Sequence, residues 1–404
     1  MESKAGASAA VVGGSIGGCA AALALHRAGY GSVTVHERTG GDLADRGVGI
    51  GVHGARYAEL EAAGFLDAGM ACVELVERQW YVRDGAGPGL GRRIRTDAFP
   101  FRTYAWGPLW RELRARVPDP VAFHQGSAVL SVADTPAGVE VRTAAGAVRH
   151  DLVIGADGYR STVRDAVCPQ ARPRYAGYLA WRGAYPEGRL PGGERWQRDA
   201  AAYVVFPGGH VVIYRIPDGA GGHRVNWVLY AAPPPGLDLP LATPTSLPPG
   251  TLSTALCTHL TRLTHNHLPP FWARLIEVTA PDELFVQPMY DVTVEPGVSG
   301  RLALLGDAAT IARPHTGAGA VKALQDAVLL ENALAGGADP AAALARYDSA
   351  RAALGRTMVD LGRRLGEALV TSTPDWPSLD GPALAAWWRR ADAAGAFGGR
   401  RLPD

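Results

Sequence analysis

The feature that most constrains the fold is a glycine-rich loop between a strand and a helix near the N-terminus. Residues 11–18 read VVGGSIGG. The apolar run 8–12 predicts a buried strand, residues 17–28 predict a helix, and residues 32–37 alternate like a second strand. A strand, a helix and a strand of this size form the nucleotide-binding unit of Rossmann-like folds. The sequence therefore predicts an α/β fold that begins with a dinucleotide site.

The loop departs from the G-x-G-x-x-G pattern at one position. Gly13 and Gly18 fill the outer positions, and Ser15 replaces the middle glycine, which lets the backbone approach a pyrophosphate. A serine is tolerated there in an extended conformation, whereas a positive φ costs about 1–2 kcal/mol. Glu37 follows about 20 residues later, where an acid bonds a ribose hydroxyl. We expect dinucleotide binding; the alternative is a glycine-rich turn that only packs tightly.

Two later strand-like runs are each followed by one glycine and one aspartate. Residues 151–156 lead to Asp157-Gly158, and residues 301–305 lead to Gly306-Asp307. A long helical pattern, 318–334, follows the second pair. We expect both pairs to lie at the carboxyl ends of their strands, where ligands of open α/β sheets bind.

A different kind of segment separates these two runs. Residues 201–216 predict a hairpin that turns at 207–209, and residues 224–232 predict a third antiparallel strand. The nucleotide-binding half is therefore discontinuous, which disfavours a simple NAD dehydrogenase. Residues 340–370 predict C-terminal helices, and residues 395–404 are expected to fray.

The composition excludes several kinds of partner. The 404 residues carry a net charge of +1, which gives no electrostatic basis for binding nucleic acid or an acidic membrane surface. No run of about 18 apolar residues occurs, and residues 1–10 lack the apolar core of a signal peptide, so we expect a cytoplasmic protein without membrane contact. The four cysteines are scattered and form no C-x-x-C, so no metal site is expected.

Several segments resemble those of a known family. Residues 151–164 (DLVIGADGYRSTVR) and 302–327 (LALLGDAATIARPHTGAGAVKALQDA) resemble two signature segments of the single-component FAD-dependent aromatic hydroxylases, which have the para-hydroxybenzoate hydroxylase fold. Residues 46–67 look like a third, without the Pro-Asn pair common there, and 110–117 look like the segment whose arginine reaches the cofactor. Residues 174–183 (RYAGYLAWRG) are most similar to the dihydroxypyridine hydroxylase branch, with hydroxynicotinate hydroxylases as near relatives.

The resemblance implies a fold and a reaction. It implies a Rossmann-like FAD-binding domain interleaved with a mostly antiparallel substrate sheet and followed by C-terminal helices. It also implies that the enzyme uses NADPH or NADH as a transient co-substrate and O2, and hydroxylates a small, electron-rich hydroxylated aromatic or N-heteroaromatic ring through a flavin C4a-hydroperoxide. The chain would act as a monomer or homodimer. The expected division is 1–73, 103–173 and 291–370 for FAD, 74–102 and 174–290 for substrate, and 371–404 as a helical tail.

Three alternatives stay open at this point. A related FAD oxygenase of secondary metabolism would use the same fold for epoxidation, Baeyer–Villiger insertion or dearomatisation. A flavin dehydrogenase or reductase would reduce FAD without activating oxygen. A non-catalytic flavoprotein would only bind ligands.

The resemblance implies that Asp307 bonds the ribityl chain of FAD and that Arg46 lies near the pyrophosphate. It also implies that Arg111 lies near the pyrophosphate and the ribityl chain, and that Asp157 lies near the pyrophosphate and the entry path of the nicotinamide. The helix after 314–319 would direct its positive end toward the flavin ring. Asp307 could alternatively cap a helix, and the arginines could form surface ion pairs. The full set of expected cofactor contacts is Gly13, Ser15, Ile16, Gly18, Glu37, Arg38, Arg46, Arg111, Asp157, Gly306, Asp307, Pro314, Gly317, Ala318 and Gly319.

Candidate catalytic residues follow from the chemistry that the resemblance implies. Losing a proton from a ring hydroxyl makes the ring electron-rich, so a base or proton relay is useful. His210 and Tyr214 share one face of a predicted strand, and His315 lies in the loop expected to face the flavin. The alternatives are a solvated His210 and a Tyr214 that is only core. The aromatic residues that could line a pocket or belong to the sheet core are Trp181, Tyr203, Phe206 and Trp227.

Overall fold

The computed structural model describes residues 6–41, 43, 49–85, 87, 89–239, 241, 246–335 and 339–400. The strands, numbered in chain order, are β1 (Ser8–Val12), β2 (Ser32–Glu37), β3 (Gly49–His53), β4 (Val73–Val82), β5 (Arg92–Ala105), β6 (Ala122–Gln125), β7 (Val129–Thr135), β8 (Gly138–Thr143), β9 (Gly146–His150), β10 (Leu152–Gly155), β11 (Arg174–Pro186), β12 (Ala200–Phe206), β13 (Gly209–Pro217), β14 (His223–Ala231), β15 (Leu284–Thr293), β16 (Val298–Ser299), β17 (Leu302–Leu304) and β18 (Thr310–Ile311). The α-helices are α1 (Ile16–Arg27), α2 (Gly54–Ala62), α3 (Trp106–Arg116), α4 (Thr162–Val167), α5 (Thr254–His267), α6 (Pro270–Glu277), α7 (Gly319–Ala335), α8 (Pro340–Gly366) and α9 (Gly381–Ala391). None of the helices in these ranges is both long and apolar enough to cross a membrane.

The first sheet has the order β16-β17-β10-β1-β2-β6. All neighbours pair in parallel except β16, which runs antiparallel to β17. Val12 lies opposite both Gly155 and His36, and Gly155 lies opposite Leu304, so the four central strands end at one level. The loops after β1, β10 and β17 therefore meet at one edge, which is where α/β sheets bind their ligands.

The second sheet has the order β18-β15-β11-β14-β13-β12-β4-β5-β3, and its pairs are antiparallel except β12 with β4. Successive side chains of a strand point to opposite faces. On β13, Val211 and Ile213 pack into a core that includes Trp272 of α6, whereas Tyr214 packs against the larger core that includes α1 and α7. A third sheet, β7-β8-β9, lies beside α4. One face of the second sheet thus looks toward the glycine-rich edge of the first.

The architecture predicted from the sequence is confirmed: a Rossmann-like sheet is interleaved with a mostly antiparallel one. β1 and β2 have the predicted bounds, and the hairpin turns between Phe206 and Gly209 as predicted. β3 lies within the segment 1–73 assigned to the cofactor domain, but it pairs with β5 in the nine-stranded sheet. The chain therefore enters the second sheet earlier than the predicted division allows.

The expected fraying of residues 395–404 is wrong for residues 396–399, which are buried. Phe397 is the reason, because its ring packs 5.7 Å from the ring of Phe101 on β5. Residues 401–404 lie outside the described residues. A terminal segment that buries an aromatic ring gains more from packing than it loses in chain entropy.

Candidate active site

The loop after β1 requires glycine at both outer positions. Gly13 has a φ of +101°, and a Cβ there would stand 2.4 Å from the carbonyl oxygen of Ala156. A Cβ at Gly18 would stand 1.8 Å from the carbonyl oxygen of Gly13. Ser15 is the N-cap of α1 with a φ of −75° and a ψ of −169°, which is ordinary extended backbone. The serine is therefore unstrained, and the amides that begin α1 remain an anion site.

Two side chains hold this loop in place. The carboxylate of Glu37 accepts from the Gly14 amide at 2.8 Å and from the Thr39 amide at 2.8 Å. The indole of Trp110 on α3 donates to the Gly14 carbonyl at 2.9 Å. Each carboxylate oxygen has a second lone pair, so these bonds leave Glu37 able to accept from a ribose hydroxyl. Sequence reasoning missed Trp110, although it precedes the predicted Arg111.

Asp157 lies beside Gly13 at the end of β10. One of its oxygens accepts from the amides of Thr162 at 2.7 Å and Val163 at 3.3 Å. Its Oδ1 is buried and bonds none of the described residues, and burial raises the pKa of this carboxyl. The guanidinium of Arg164 donates to the Ala308 carbonyl at 3.3 Å and so ties this loop to the loop after β17.

Gly306 turns the chain with a φ of +64°, and its amide donates to Asp326 of α7 at 2.8 Å. Asp326 also pairs with Lys322 at 2.6 Å, and both side chains are buried. Asp307 comes next, and its side chain is exposed at this edge. Sequence reasoning missed the Lys322–Asp326 pair, although a lysine followed four residues later by an aspartate is the spacing of a helical ion pair.

The loop 314–319 leads into α7 as predicted. Pro314 begins a 3-10 turn, Gly317 has a φ of +66°, and Gly319 begins the helix. A Cβ at Gly319 would meet nothing within 4 Å, so this face of the helix start is open. An open helix N-terminus fits the edge of a flavin ring that carries negative charge when reduced.

The remaining predicted cofactor contacts differ in exposure. Ile16 and Ala318 are 3% and 2% exposed, so any contact they make is through the backbone. Arg38 follows β2 and Arg111 lies on α3, and both side chains are exposed. Arg46 lies outside the described residues.

The structure brings His315, from the loop between β18 and α7, close to His210 of β13. A hydrogen bond of 2.7 Å joins His315 Nε2 to the hydroxyl of Tyr178 on β11. The ring of His315 lies 4.3 Å from that of Tyr230 and 5.2 Å from that of His210. His210 also stacks on Tyr230 at 5.0 Å. Sequence reasoning missed Tyr178, although this residue lies within RYAGYLAWRG, the segment most similar to the dihydroxypyridine hydroxylase branch.

Burial keeps both histidines neutral at pH 7. It lowers the pKa of His210 to about 3. Burial, together with the nearby His210, holds the pKa of His315 well below its usual value. His210 Nδ1 lies 3.3 Å from the Leu369 carbonyl, which can only accept, so Nδ1 carries the proton and Nε2 is the acceptor. His210 is 1% exposed, which excludes the alternative of a solvated histidine.

Tyr214 lies on the same face but farther along β13. Its ring lies against Gly49 of β3, where a Cβ would stand 2.6 Å from it. Burial raises the pKa of Tyr214. Its hydroxyl is thus a donor at neutral pH rather than a base.

The aromatic candidates divide between the two faces of the sheet. Tyr203 lies on the site face, with its ring 6.4 Å from that of His210. Trp181, Trp227 and Phe206 point the other way and pack with α5 and α6 as core. Among the described side chains, no group of three or more His, Cys, Asp or Glu is arranged to hold a metal ion.

Two stretches of the chain match families of flavin-binding proteins. Residues 175–291 match the family described as FAD binding domain-like, and residues 271–362 match the family described as FAD binding domain. With the glycine-lined edge, these matches define the class as an FAD-binding protein.

Relatives narrow the class. The chain is 31% identical over 335 residues to 2,6-dihydroxypyridine 3-monooxygenase of Paenarthrobacter nicotinovorans, which covers 79% of this chain and 80% of that one. It is 30% identical over 376 residues to Aurachin C monooxygenase/isomerase of Stigmatella aurantiaca, which covers 90% of both chains. The solved structure of 2,6-dihydroxypyridine-3-hydroxylase from Arthrobacter nicotinovorans matches with a TM-score of 0.80 at 26% identity, and covers 93% of this chain and 96% of that one.

The protein belongs to the FAD-binding monooxygenase family, and the predicted resemblance to its dihydroxypyridine branch is confirmed. It is a flavoprotein monooxygenase with FAD as its cofactor.

Proposed function

We propose that the enzyme uses NADPH or NADH and O2 to hydroxylate a small hydroxylated aromatic or N-heteroaromatic ring. The observation that carries this proposal is the meeting of His315, from the loop that starts α7, with His210 and Tyr178 of the substrate sheet. The ring-binding face and the cofactor edge are thereby adjacent. A flat substrate placed between them would contact both.

FAD fits the residues at the edge of the first sheet. The loop around Gly13 and Gly18 would hold the pyrophosphate, and Glu37 would accept from the ribose. Asp307 would bond the ribityl chain, and the start of α7 would face the flavin ring. FAD supplies the oxygen-activating chemistry when it is bound.

The chain's own residues would exclude water and handle the proton of the ring hydroxyl. On the substrate side, four buried residues form a hydrogen-bonded and stacked group: Tyr178, His210, Tyr230 and His315. Water in such a site would divert activated oxygen to hydrogen peroxide. We assign His315 and His210 to positioning and relaying the proton rather than to strong base catalysis, because both are poor proton acceptors at neutral pH.

The test is a screen of the purified holoenzyme for ligand-stimulated NADPH and NADH oxidation. The panel includes 2,6-dihydroxypyridine, other hydroxypyridines, phenols and indoles. We expect at least one hydroxylated ring to stimulate oxidation and to yield a product with one oxygen atom from labelled dioxygen. Consumption of NAD(P)H with no oxygenated product from any panel member would contradict the proposal.

A second candidate function comes from the similarity to Aurachin C monooxygenase/isomerase. In that case, the enzyme would belong with the FAD oxygenases of secondary metabolism, and oxygenation would be followed by an isomerisation. Product structure distinguishes the two, since simple hydroxylation leaves the carbon skeleton unchanged.

A further inference from the structure

Arg182 lies on the site face of the substrate sheet. On β11 it follows Tyr178 by four residues, and the even-numbered positions 178, 180 and 182 share one face. Its cross-strand neighbour is Val228, which in turn lies opposite Val212. Val228 lies two residues before Tyr230, and Val212 lies midway between His210 and Tyr214. The guanidinium therefore belongs to the face that carries the proposed substrate group.

The positive charge of Arg182 shifts the pKa values of three residues at this face, Tyr214, Tyr230 and His315. Burial raises the pKa values of Tyr214 and Tyr230, and the positive charge of Arg182 opposes this in both cases. Burial also lowers the pKa of His315, and Arg182 is among the charges that add to this. These effects place a fixed positive charge close to three side chains of the site.

Arg182 makes no hydrogen bond or ion pair with any residue that the structure describes, and its Nε is buried. Asp291 is the carboxylate whose charge acts on Tyr178, but it already accepts hydrogen bonds from Arg313 at 2.8 Å and from Arg363 at 2.7 Å. A partly buried guanidinium with no anionic partner is unusual, because buried charges are normally paired. The charge of Arg182 acts directly on Tyr214, Tyr230 and His315. The other titratable and charged groups that act on these residues or on Tyr178 are Tyr203, His210, Asp291 and Arg313.

The chemistry of the site indicates what the partner would be. Hydroxylation needs the ring in its ionised, electron-rich form, yet His210 and His315 are too weakly basic to draw the proton off at neutral pH. A cation can do this instead by stabilising the anion. The ring O–H bond then breaks heterolytically: the electron pair stays on oxygen and the proton leaves to solvent as the substrate binds.

We propose that Arg182 binds the ionised ring hydroxyl of the substrate and thereby selects a ring oxyanion. This inference rests on the proposed function and names the charge state of its substrate. Arg182 would be a substrate-binding residue, and the two histidines would keep the role proposed above, which is to position the ring and relay its proton.

The test measures the ionisation of a bound ligand rather than turnover. 2,6-Dihydroxypyridine, 3-hydroxybenzoate and salicylate are titrated into the holoenzyme across pH, and difference absorbance reports the bound anion. In wild type, we expect the ring hydroxyl to ionise at a lower pH than in free ligand. Arg182→Met should raise the bound pKa by about one to three units, which is about 10- to 1000-fold in the ionisation constant. Arg182→Lys should restore part of the effect because it keeps the charge.

Arg174→Met is the matched control, since it removes the same charge from the exposed start of β11. Equal bound pKa values in wild type and Arg182→Met would overturn the inference and leave the proposed function intact. Benzoate that binds as tightly as the hydroxylated ligands and depends equally on Arg182 would also overturn it, because the residue would then be a carboxylate anchor. If no panel member binds to wild type, the proposed function fails with it. Unchanged FAD content and thermal midpoint in Arg182→Met confirm that the variant folds.

Discussion

Replacing Gly18 by alanine should weaken FAD binding even though alanine is the better helix former. Gly18 lies in the first turn of α1, where alanine gains about 1 kcal/mol of helix propensity over glycine. Its Cβ, however, would stand 1.8 Å from the carbonyl oxygen of Gly13. A carbon–oxygen contact needs about 3.3 Å, so the loop must move by roughly 1.5 Å. Overpacking of this kind costs about 1–3 kcal/mol, and the shift displaces the amides that face the cofactor.

We expect the FAD affinity of Gly18→Ala to fall at least about tenfold, which is about 1.4 kcal/mol. Flavin fluorescence titration of the apoprotein measures this, and thermal unfolding measures the stability. Gly17→Ala is the matched control, because its Cβ meets the flexible end of Leu305 at 3.1 Å and no backbone. Ser15→Gly should leave FAD content nearly unchanged, since Ser15 is unstrained; a marked gain would show that the serine is a handicap. If Gly18→Ala binds FAD as tightly as Gly17→Ala does, the steric reasoning is refuted.

Three further predictions concern the substrate side. Tyr178→Phe removes the only hydrogen bond of His315 Nε2 seen in the described part of the chain and should lower the free energy of unfolding by about 1–3 kcal/mol, measured by denaturant titration; no loss would show that the bond is energetically neutral. Burial lowers the pKa of His210 to about 3 and that of His53, the last residue of β3, to about 4. Both values lie below the unfolded value of about 6.5, so the stability that the neutral histidines contribute is present above pH 6.5 and is lost as the pH falls toward the folded-state values. The two together should cost about 2 kcal/mol between pH 6.5 and about pH 5.5, and a thermal midpoint that is flat over this range would contradict the assignment. Phe397→Ala should lower stability by about 3 kcal/mol and raise the fraction of NAD(P)H oxidised with formation of hydrogen peroxide, because its ring packs on Phe101 beside Gly317 of the loop 314–319. Unchanged coupling would show that this segment does not shield the site.

The backbone geometry of the proposed cofactor loop could be predicted from the sequence because its signals are local. Gly13, Gly18 and Glu37 are fixed by one strand, one turn and the next strand, and each has a backbone reason for its identity. Whether Ser15 strains the loop depends on its φ, which the sequence does not give and which is −75° in the structure. Trp110 could not be placed, because its bond to Gly14 depends on how α3 packs over the loop.

The substrate half could be predicted only in part. The alternation of side chains along a strand correctly put His210 and Tyr214 on one face of β13. The same rule separates Tyr203 from Phe206 on β12, because two residues that are three positions apart on a strand point to opposite faces. Parity does not say which face meets the cofactor. The bond from Tyr178 to His315 spans 137 positions and exists only because the loop after β18 lies against β11 in the folded chain.

The two halves of the site depend on the chain in different ways. In the proposed site, backbone amides would hold most of FAD, so the site would depend on positions where a Cβ is forbidden, such as Gly13, and would tolerate side-chain changes elsewhere. The proposed substrate contacts are side chains at alternate positions of the adjacent strands β11, β14 and β13, and each of these can change without disturbing strand pairing. One cofactor edge can therefore serve relatives that act on different rings. Exchanges that alter the substrate should accordingly fall at positions such as Arg182, His210 and Tyr230, and leave FAD binding intact.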